Sequence, residues 1–204
     1  NQSVEIIMMK TGLTGGMGVG KSAAAKAFKK LGVHIFDADK EAKELLDSSA
    51  IIQNNLMAEF GSDILNNTGK IDQGKLANVS FQDEYHQMNL NSIIHPHIFE
   101  KIDEDFNKIS SKNKASFFMV DGALIYESGL DTHIDYTIVV TAKLSIRMER
   151  SIKKGNLTRE DILKRIDLQW PCETKVRMAD FVIHNNTTEK DLKEQVKEIY
   201  NKLV

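Results

Sequence analysis

The chain is short of several things that would point its reading elsewhere. Its 204 residues hold one cysteine, Cys172, so no internal disulfide can form, and a reduced structural thiol in a reducing compartment is the expectation. No apolar run approaches the ~20 residues that a membrane span needs, and the first residues lack the basic-then-apolar layout of a signal peptide. The reading is therefore a cytoplasmic protein with no membrane partner. A basic surplus is also missing. With 27 Lys and Arg against 29 Asp and Glu, the net charge is -2 and the pI about 6.3. Phosphate backbones are bound through positive excess, so no nucleic-acid partner is expected. The six histidines are scattered without metal-ligand spacing, which argues against zinc. No repeat, low-complexity tract or flexible linker divides the chain, and its length can bury a core, so a single domain over 1–204 is expected.

What is present is a complete phosphate-binding loop, Gly15-Gly16-Met17-Gly18-Val19-Gly20-Lys21-Ser22, set between an apolar run and the alanine-rich run that starts at Ala23. Glycines there permit backbone angles and close approaches that a side chain would block, so successive N–H groups can turn around a polyphosphate. The helix that follows adds its unpaired N–H groups and the positive end of its dipole. Lys21 can reach the β- and γ-phosphates, and the Ser22 hydroxyl is placed to ligate the Mg²⁺ that bridges them. The nucleotide-binding set is thus Gly15, Gly16, Gly18, Val19, Gly20, Lys21, Ser22 and Ala23, with ATP and Mg²⁺ as the expected cofactors.

Hydrophobic patterning arranges the rest. Val4 to Leu13 reads as a first strand, Lys21 to about Leu31 as a helix ended by Gly32, and Val33-His34-Ile35-Phe36 as a second strand that delivers Asp37-Ala38-Asp39 to its C-terminal edge. Ligands of open α/β sheets sit at that edge. From Lys40 to Lys112 the pattern is mostly helical and too long for one crossover helix, so an inserted helical subdomain, 40–112, is expected. Buried-strand character returns at Phe117–Val120, Ile134–Val140 and Phe181–Ile183, and Thr158 and Thr188 are placed to cap helices. Strands separated by helices imply a parallel sheet covered on both faces, a three-layer α/β phosphate-loop fold.

A phosphate loop alone fits GTPases, motors and small-molecule kinases. No guanine-reading Asn-Lys-x-Asp sequence appears. The helical insertion and a basic stretch near 147–170 suit a kinase with an acceptor pocket and a closing lid. Asp39, just past a strand end, can accept the proton of an attacking hydroxyl or can cap the following helix. Asp37 can orient Asp39, meet Mg²⁺ through water or finish the strand. Asp121, at the end of an apolar strand, has the position of a magnesium-supporting carboxylate. Glu127 reads either as an acceptor-binding group or as a helix-start carboxylate. A histidine such as His95, beside the helix break expected at Pro96, is more often structural than functional.

Gly12-Leu13-Thr14-Gly15-Gly16, Gly20-Lys21-Ser22, Phe36-Asp37-Ala38-Asp39, His95-Pro96, Ile125-Tyr126-Glu127, Arg165-Ile166 with Gln169, and Ala179-Asp180-Phe181-Val182-Ile183 with Asn185 stand in the order found in dephospho-CoA kinases, which the chain resembles over nearly its whole length. The resemblance implies transfer of the ATP γ-phosphoryl group to the ribose 3′-hydroxyl of dephospho-CoA, with Asp39 as base and Lys21 and Arg150 as further catalytic residues. It places Thr14, Asp37, Asp39, Lys43, His95 and Glu127 with the acceptor, His95 on the pantetheine side, and Asn185 at the adenine edge or in a plain turn. Arg150, Lys154 and Arg165 would belong to the lid. Lys154 and Lys43 stand where the family usually has arginine, which keeps charge and loses the planar fork. A nucleoside or nucleoside monophosphate kinase and a slow nucleotide-binding switch are the rival readings. A monomer or small homo-oligomer is expected.

Overall fold

The computed structural model describes residues 8–112, 115–155 and 157–204. Val4 to Ile7 of the expected first strand, and Asn156 of the expected lid, lie outside the described residues. Strand β1 spans Lys10–Thr14, β2 His34–Asp37, β3 Phe118–Asp121, β4 Tyr136–Thr141 and β5 Phe181–His184. They form one sheet in the order β2-β3-β1-β4-β5 with every pairing parallel.

Parallel connections need crossovers, and α-helices supply those from β1 to β2, β2 to β3 and β4 to β5, while β3 and β4 are joined through a loop with a short 3-10 turn at Leu130–His133. Helix α1 (Lys21–Lys30) follows β1; α2 (Ala38–Ser48), α3 (Ala50–Phe60), α4 (Gln73–Ser80) and α5 (Glu84–Ser110) lie between β2 and β3. Helices α6 (Leu144–Lys153), α7 (Arg159–Asp167) and α8 (Cys172–Met178) lie between β4 and β5, and α9 (Glu189–Leu203) closes the chain. Local chemistry sets their starts. Ser49, Asp72 and Asp83 each accept a hydrogen bond from a first-turn N–H, while Thr158 with Asp161 and Thr188 with Asp191 form reciprocal capping boxes.

Alternation along β3 divides the core, because successive strand side chains face opposite ways. Phe117 and Met119 join Leu13, Phe28, Ile138 and Val196 under α1 and α9. Phe118 and Val120 join Ile52, Leu56, Ile94, Ile98 and Ile102 under the insertion. The sheet is thereby covered on both faces, as its apolar strands require.

Two local expectations change. Asp37, not Asp39, is the N-cap of α2: its carboxylate accepts the Lys40 N–H at 2.9 Å, because β2 runs one residue further than its apolar run and the helix starts at Ala38. This leaves Asp39 free of capping duty, in the first turn. The helix break expected at His95-Pro96 is absent, and α5 continues through Pro96 from Glu84 to Ser110. Proline costs the helix one N–H, but Ile94, Ile98 and Ile102, buried at helical spacing in the insertion's core, hold the turns on either side together.

Candidate active site

The phosphate loop leaves β1 at Thr14 and enters α1 at Lys21. Gly18 and Gly20 take φ of 78° and 92°, left-handed values that glycine tolerates at least cost. A Cβ at Gly18 would strike the backbone of Arg147, and one at Gly20 the Asn185 amide, so the bare backbone is also a requirement of packing. Four distant side chains grip the loop. Arg147 Nε donates to Met17 O at 2.9 Å, Gln169 Oε1 accepts from Met17 N at 3.1 Å, and Asn185 Nδ2 donates to Val19 O at 2.8 Å beside a 3.2 Å bond from Arg150.

At the far end of the loop the Lys21 ammonium lies between two carboxylates. Asp39 Oδ2 is 3.1 Å away, and Asp121 Oδ1 forms a second direct ion pair. Parallel register explains the convergence, since Asp121 sits opposite Leu13 in β1 and opposite Asp37 in β2, so all three strand ends finish together. Burial works against the charge of Lys21, but the attraction of Asp39 and Asp121 outweighs it and holds the ammonium above the ordinary lysine range. Burial pushes the Asp121 carboxyl above the usual carboxylate range, against the pull of Lys21. Lys21 is thus a reliable cation held where phosphate oxygens would compete for it.

A cavity of about 1380 Å³ opens over the loop, lined by Gly15 to Ala23, Asp39, Arg150, Lys154, Arg165 and Asn185. A second, mostly apolar cavity of about 320 Å³ lies under the insertion, lined by Lys43, Leu46, Leu76, Ile94, His95 and Phe99, and it too includes Asp39. Asp39, Phe81, Gln87 and Leu124 line both spaces and mark their junction. The wide space, lined by the loop backbone and by Lys21, Arg150, Lys154 and Arg165, suits a polyphosphate; the narrow apolar one suits an uncharged chain.

The expected residues thus fall into groups. The loop, Asp39, Arg150, Lys154, Arg165 and Asn185 come to the large cavity; Lys43 and His95 come to the small one. Thr14 is fully buried, its hydroxyl donated to Ala123 O at 3.2 Å. Asp37 faces a different recess with Asp121 and Ser22, beside α5. Glu127 does not start a helix and is buried against Lys175. Sequence reasoning gave no role to Phe81, Gln87, Arg147 or Lys175. Arg147 stands in the basic stretch expected to form a lid, but it is buried against the loop, where it holds Met17 O.

His95 stacks on Phe99 with ring centroids 6.2 Å apart and planes 10° off parallel. Burial lowers its readiness to take a proton, opposed by the nearby Glu127 charge, so its proton affinity lies below that of a free histidine. The unfolded chain then binds the extra proton first as pH falls below the ordinary value of 6.5, and stability is lost in that window. Comparing the Tm of the protein and of His95→Gln between about pH 7.5 and about pH 5.5, the wild-type advantage should shrink on acidification. A gap independent of pH would show that His95 titrates alike in both states.

Comparison with known proteins gives a consistent picture. Residues 9–191 match the profile of a family described as dephospho-CoA kinase. A dephospho-CoA kinase of Aquifex aeolicus is 34% identical over 196 residues, covering 96% of this chain and 98% of the relative. Among solved structures, a dephospho-CoA kinase from Campylobacter jejuni superposes with a TM-score of 0.67 at 27% identity, covering 95% of this chain and 96% of its own. A Thermus thermophilus protein reaches a TM-score of 0.81 at 25% identity, covering 97% and 98%.

Proposed function

The chain belongs to the dephospho-CoA kinase family, and from that membership we propose how its residues share the ATP-dependent phosphorylation of dephospho-CoA, a step of coenzyme A biosynthesis. One observation carries the assignment: Asp39 lines both the polyphosphate-sized cavity and the apolar one. A carboxylate at that junction can face the ribose 3′-hydroxyl on one side and the γ-phosphate on the other.

In this reading ATP lies along Gly15 to Ala23, with Asn185 beside the adenine. Dephospho-CoA runs its pantetheine arm past Lys43 and His95, and its ribose meets Asp39, while Thr14, Asp37 and Glu127, expected beside the acceptor, line neither of these two cavities. Asp39 takes the hydroxyl proton as the oxygen attacks. Lys21, freed from its carboxylates by the arriving phosphates, stays on the transferring group as charge spreads over its oxygens. Arg150, Lys154 and Arg165 close over the phosphates and exclude water.

The donor set fits magnesium. Oxygen ligands from Ser22 and, through water, Asp121 suit a hard cation that keeps most of its waters and takes phosphate oxygens for the rest. Among the described residues no cluster of three His, Cys, Asp or Glu could cage a metal by itself. The chemistry that Mg²⁺ would supply there is neutralisation of part of the phosphate charge. No described helix is long and apolar enough to cross a membrane. We place the enzyme in the cytoplasm, as a monomer or small homo-oligomer that works without nucleic acid.

Acceptor-dependent ADP release is the direct test. Dephospho-CoA should support turnover far above adenosine, AMP or pantetheine, and preference for AMP or adenosine would replace this reading with a nucleotide or nucleoside kinase. Lys154 tests the lid. It follows α6, lines the large cavity and offers one ammonium rather than a guanidinium fork. Lys154→Ala should reduce kcat/KM for ATP clearly more than Lys202→Ala, a change at an exposed position of α9, while Lys154→Arg should be tolerated or improve transfer. Equal kcat/KM for the two alanine variants at fixed ionic strength would end the lid role of Lys154.

A further inference from the structure

Removing an ammonium and a carboxylate from water is costly, and a pair of methyl-rich side chains would fill the same space more cheaply. Lys175 on α8 nevertheless has a side chain 0% exposed, with Nζ 2.6 Å from Glu127 Oε1 and donating to Ala123 O at 2.9 Å. Glu127 Oε1 also accepts the Trp170 N–H at 3.0 Å, just past α7, while its Oε2 is buried without a hydrogen-bond partner among the described residues. Neither charged residue lines either substrate cavity.

The pair instead meets the catalytic machinery at Ala123. The carbonyl of Ala123 takes Lys175 and Thr14, the last residue of β1, while its N–H makes a long hydrogen bond to Asp39 Oδ1 at 3.4 Å. One short loop after β3 is thus tied to the strand that carries the phosphate loop, to the segment joining α7 to α8, and to the carboxylate at the cavity junction. We propose that Lys175 and Glu127 form a buried strut that fixes this loop and, through Ala123, orients the Asp39 carboxylate for phosphoryl transfer. Lys175 is a positioning residue, and its role rests on Asp39 receiving the acceptor proton.

The test is Lys175→Met, which keeps length and removes charge, measured by thermal melting and by single-turnover and steady-state kinetics. The variant should stay folded and lose about tenfold or more in the transfer rate, with KM for ATP and for dephospho-CoA within about threefold of normal. Because it acts through Asp39, adding Lys175→Met to Asp39→Asn should change the residual rate by less than about twofold. A folded Lys175→Met variant with a normal rate overturns the strut, as does a full additional loss in the Asp39→Asn background or a loss confined to KM for ATP. If Asp39→Asn alone is fully active, the base assignment fails instead, a separate result. Should Lys175→Met fail to fold, Lys175→Met/Glu127→Gln removes both charges, keeps an acceptor for Trp170 and carries the same measurements. If that variant also fails to fold, the pair is a folding element only and the proposal falls.

Discussion

Lys21→Ala should lower phosphoryl transfer by about 10²–10³-fold while the chain still folds, since one preorganised cationic contact to developing charge is lost. The residue lies on the rim of the phosphate cavity and contributes almost nothing to either apolar core. Its removal does leave Asp121 buried without its counter-charge. The folded-state proton affinity of Asp121 is already raised, so its favourable share of stability is complete below the ordinary carboxylate range and is lost as pH rises through the higher folded value. The deficit in Tm of Lys21→Ala should therefore narrow as pH is lowered from about 7.5 to about 5. Near-normal turnover in a folded variant would overturn the phosphate-loop assignment, and a deficit that widens on acidification would overturn the account of Asp121.

Asp39→Asn should cost about 10²–10⁴-fold in transfer rate with ATP affinity nearly unchanged, because the amide keeps the shape and cannot take the acceptor proton. A helix-capping explanation for any loss is excluded by geometry, since the α2 cap is Asp37. Asparagine at position 37 should cap about as well as aspartate, so Asp37→Asn should leave the melting temperature almost unmoved. Nucleotide titration and single-turnover chemistry separate the two steps. An Asp39→Asn enzyme with normal chemistry would remove the base, while one that no longer binds ATP would show that Asp39 mainly sets the position of Lys21.

The parts of this arrangement that were legible in the sequence are those fixed by short-range chemistry. Glycines at set spacing before Lys21-Ser22 can only make a cradle when a strand precedes and a helix follows, and the five strands announced themselves as apolar runs. Threonine three residues before an aspartate marked α7 and α9. Which carboxylate of Asp37-Ala38-Asp39 caps α2 was not legible, because a shift of two residues at the strand end moves the cap from one to the other. Pro96 misled for a related reason: its local penalty is visible in sequence, but the burial of Ile94, Ile98 and Ile102 that overrides it is a property of the assembled insertion. Lys175 and Glu127 lie in different segments with ordinary compositions, and nothing short of the fold brings them together. The grip of Arg147 on Met17 is equally invisible, since a helix rich in arginine and lysine reads first as a surface.

The central place of β1 in the sheet has a consequence for how the molecule is made. Its hydrogen-bonding neighbours are Phe118–Asp121 on one side and Tyr136–Val139 on the other, so β1 waits until about a hundred further residues have been synthesised before either partner exists. The contacts of α2 to α5, by contrast, are mostly with one another and can form while the remainder is still on the ribosome. Closing so large a loop must precede the reward from pairing, which makes sheet assembly the slow step. Until it happens, β1 is a strand segment with both edges unpaired, and the nascent chain is most exposed to aggregation over that interval. The nucleotide can stabilise only what already exists, so ATP supplied during refolding should slow unfolding of the finished protein and leave the early folding rate unchanged.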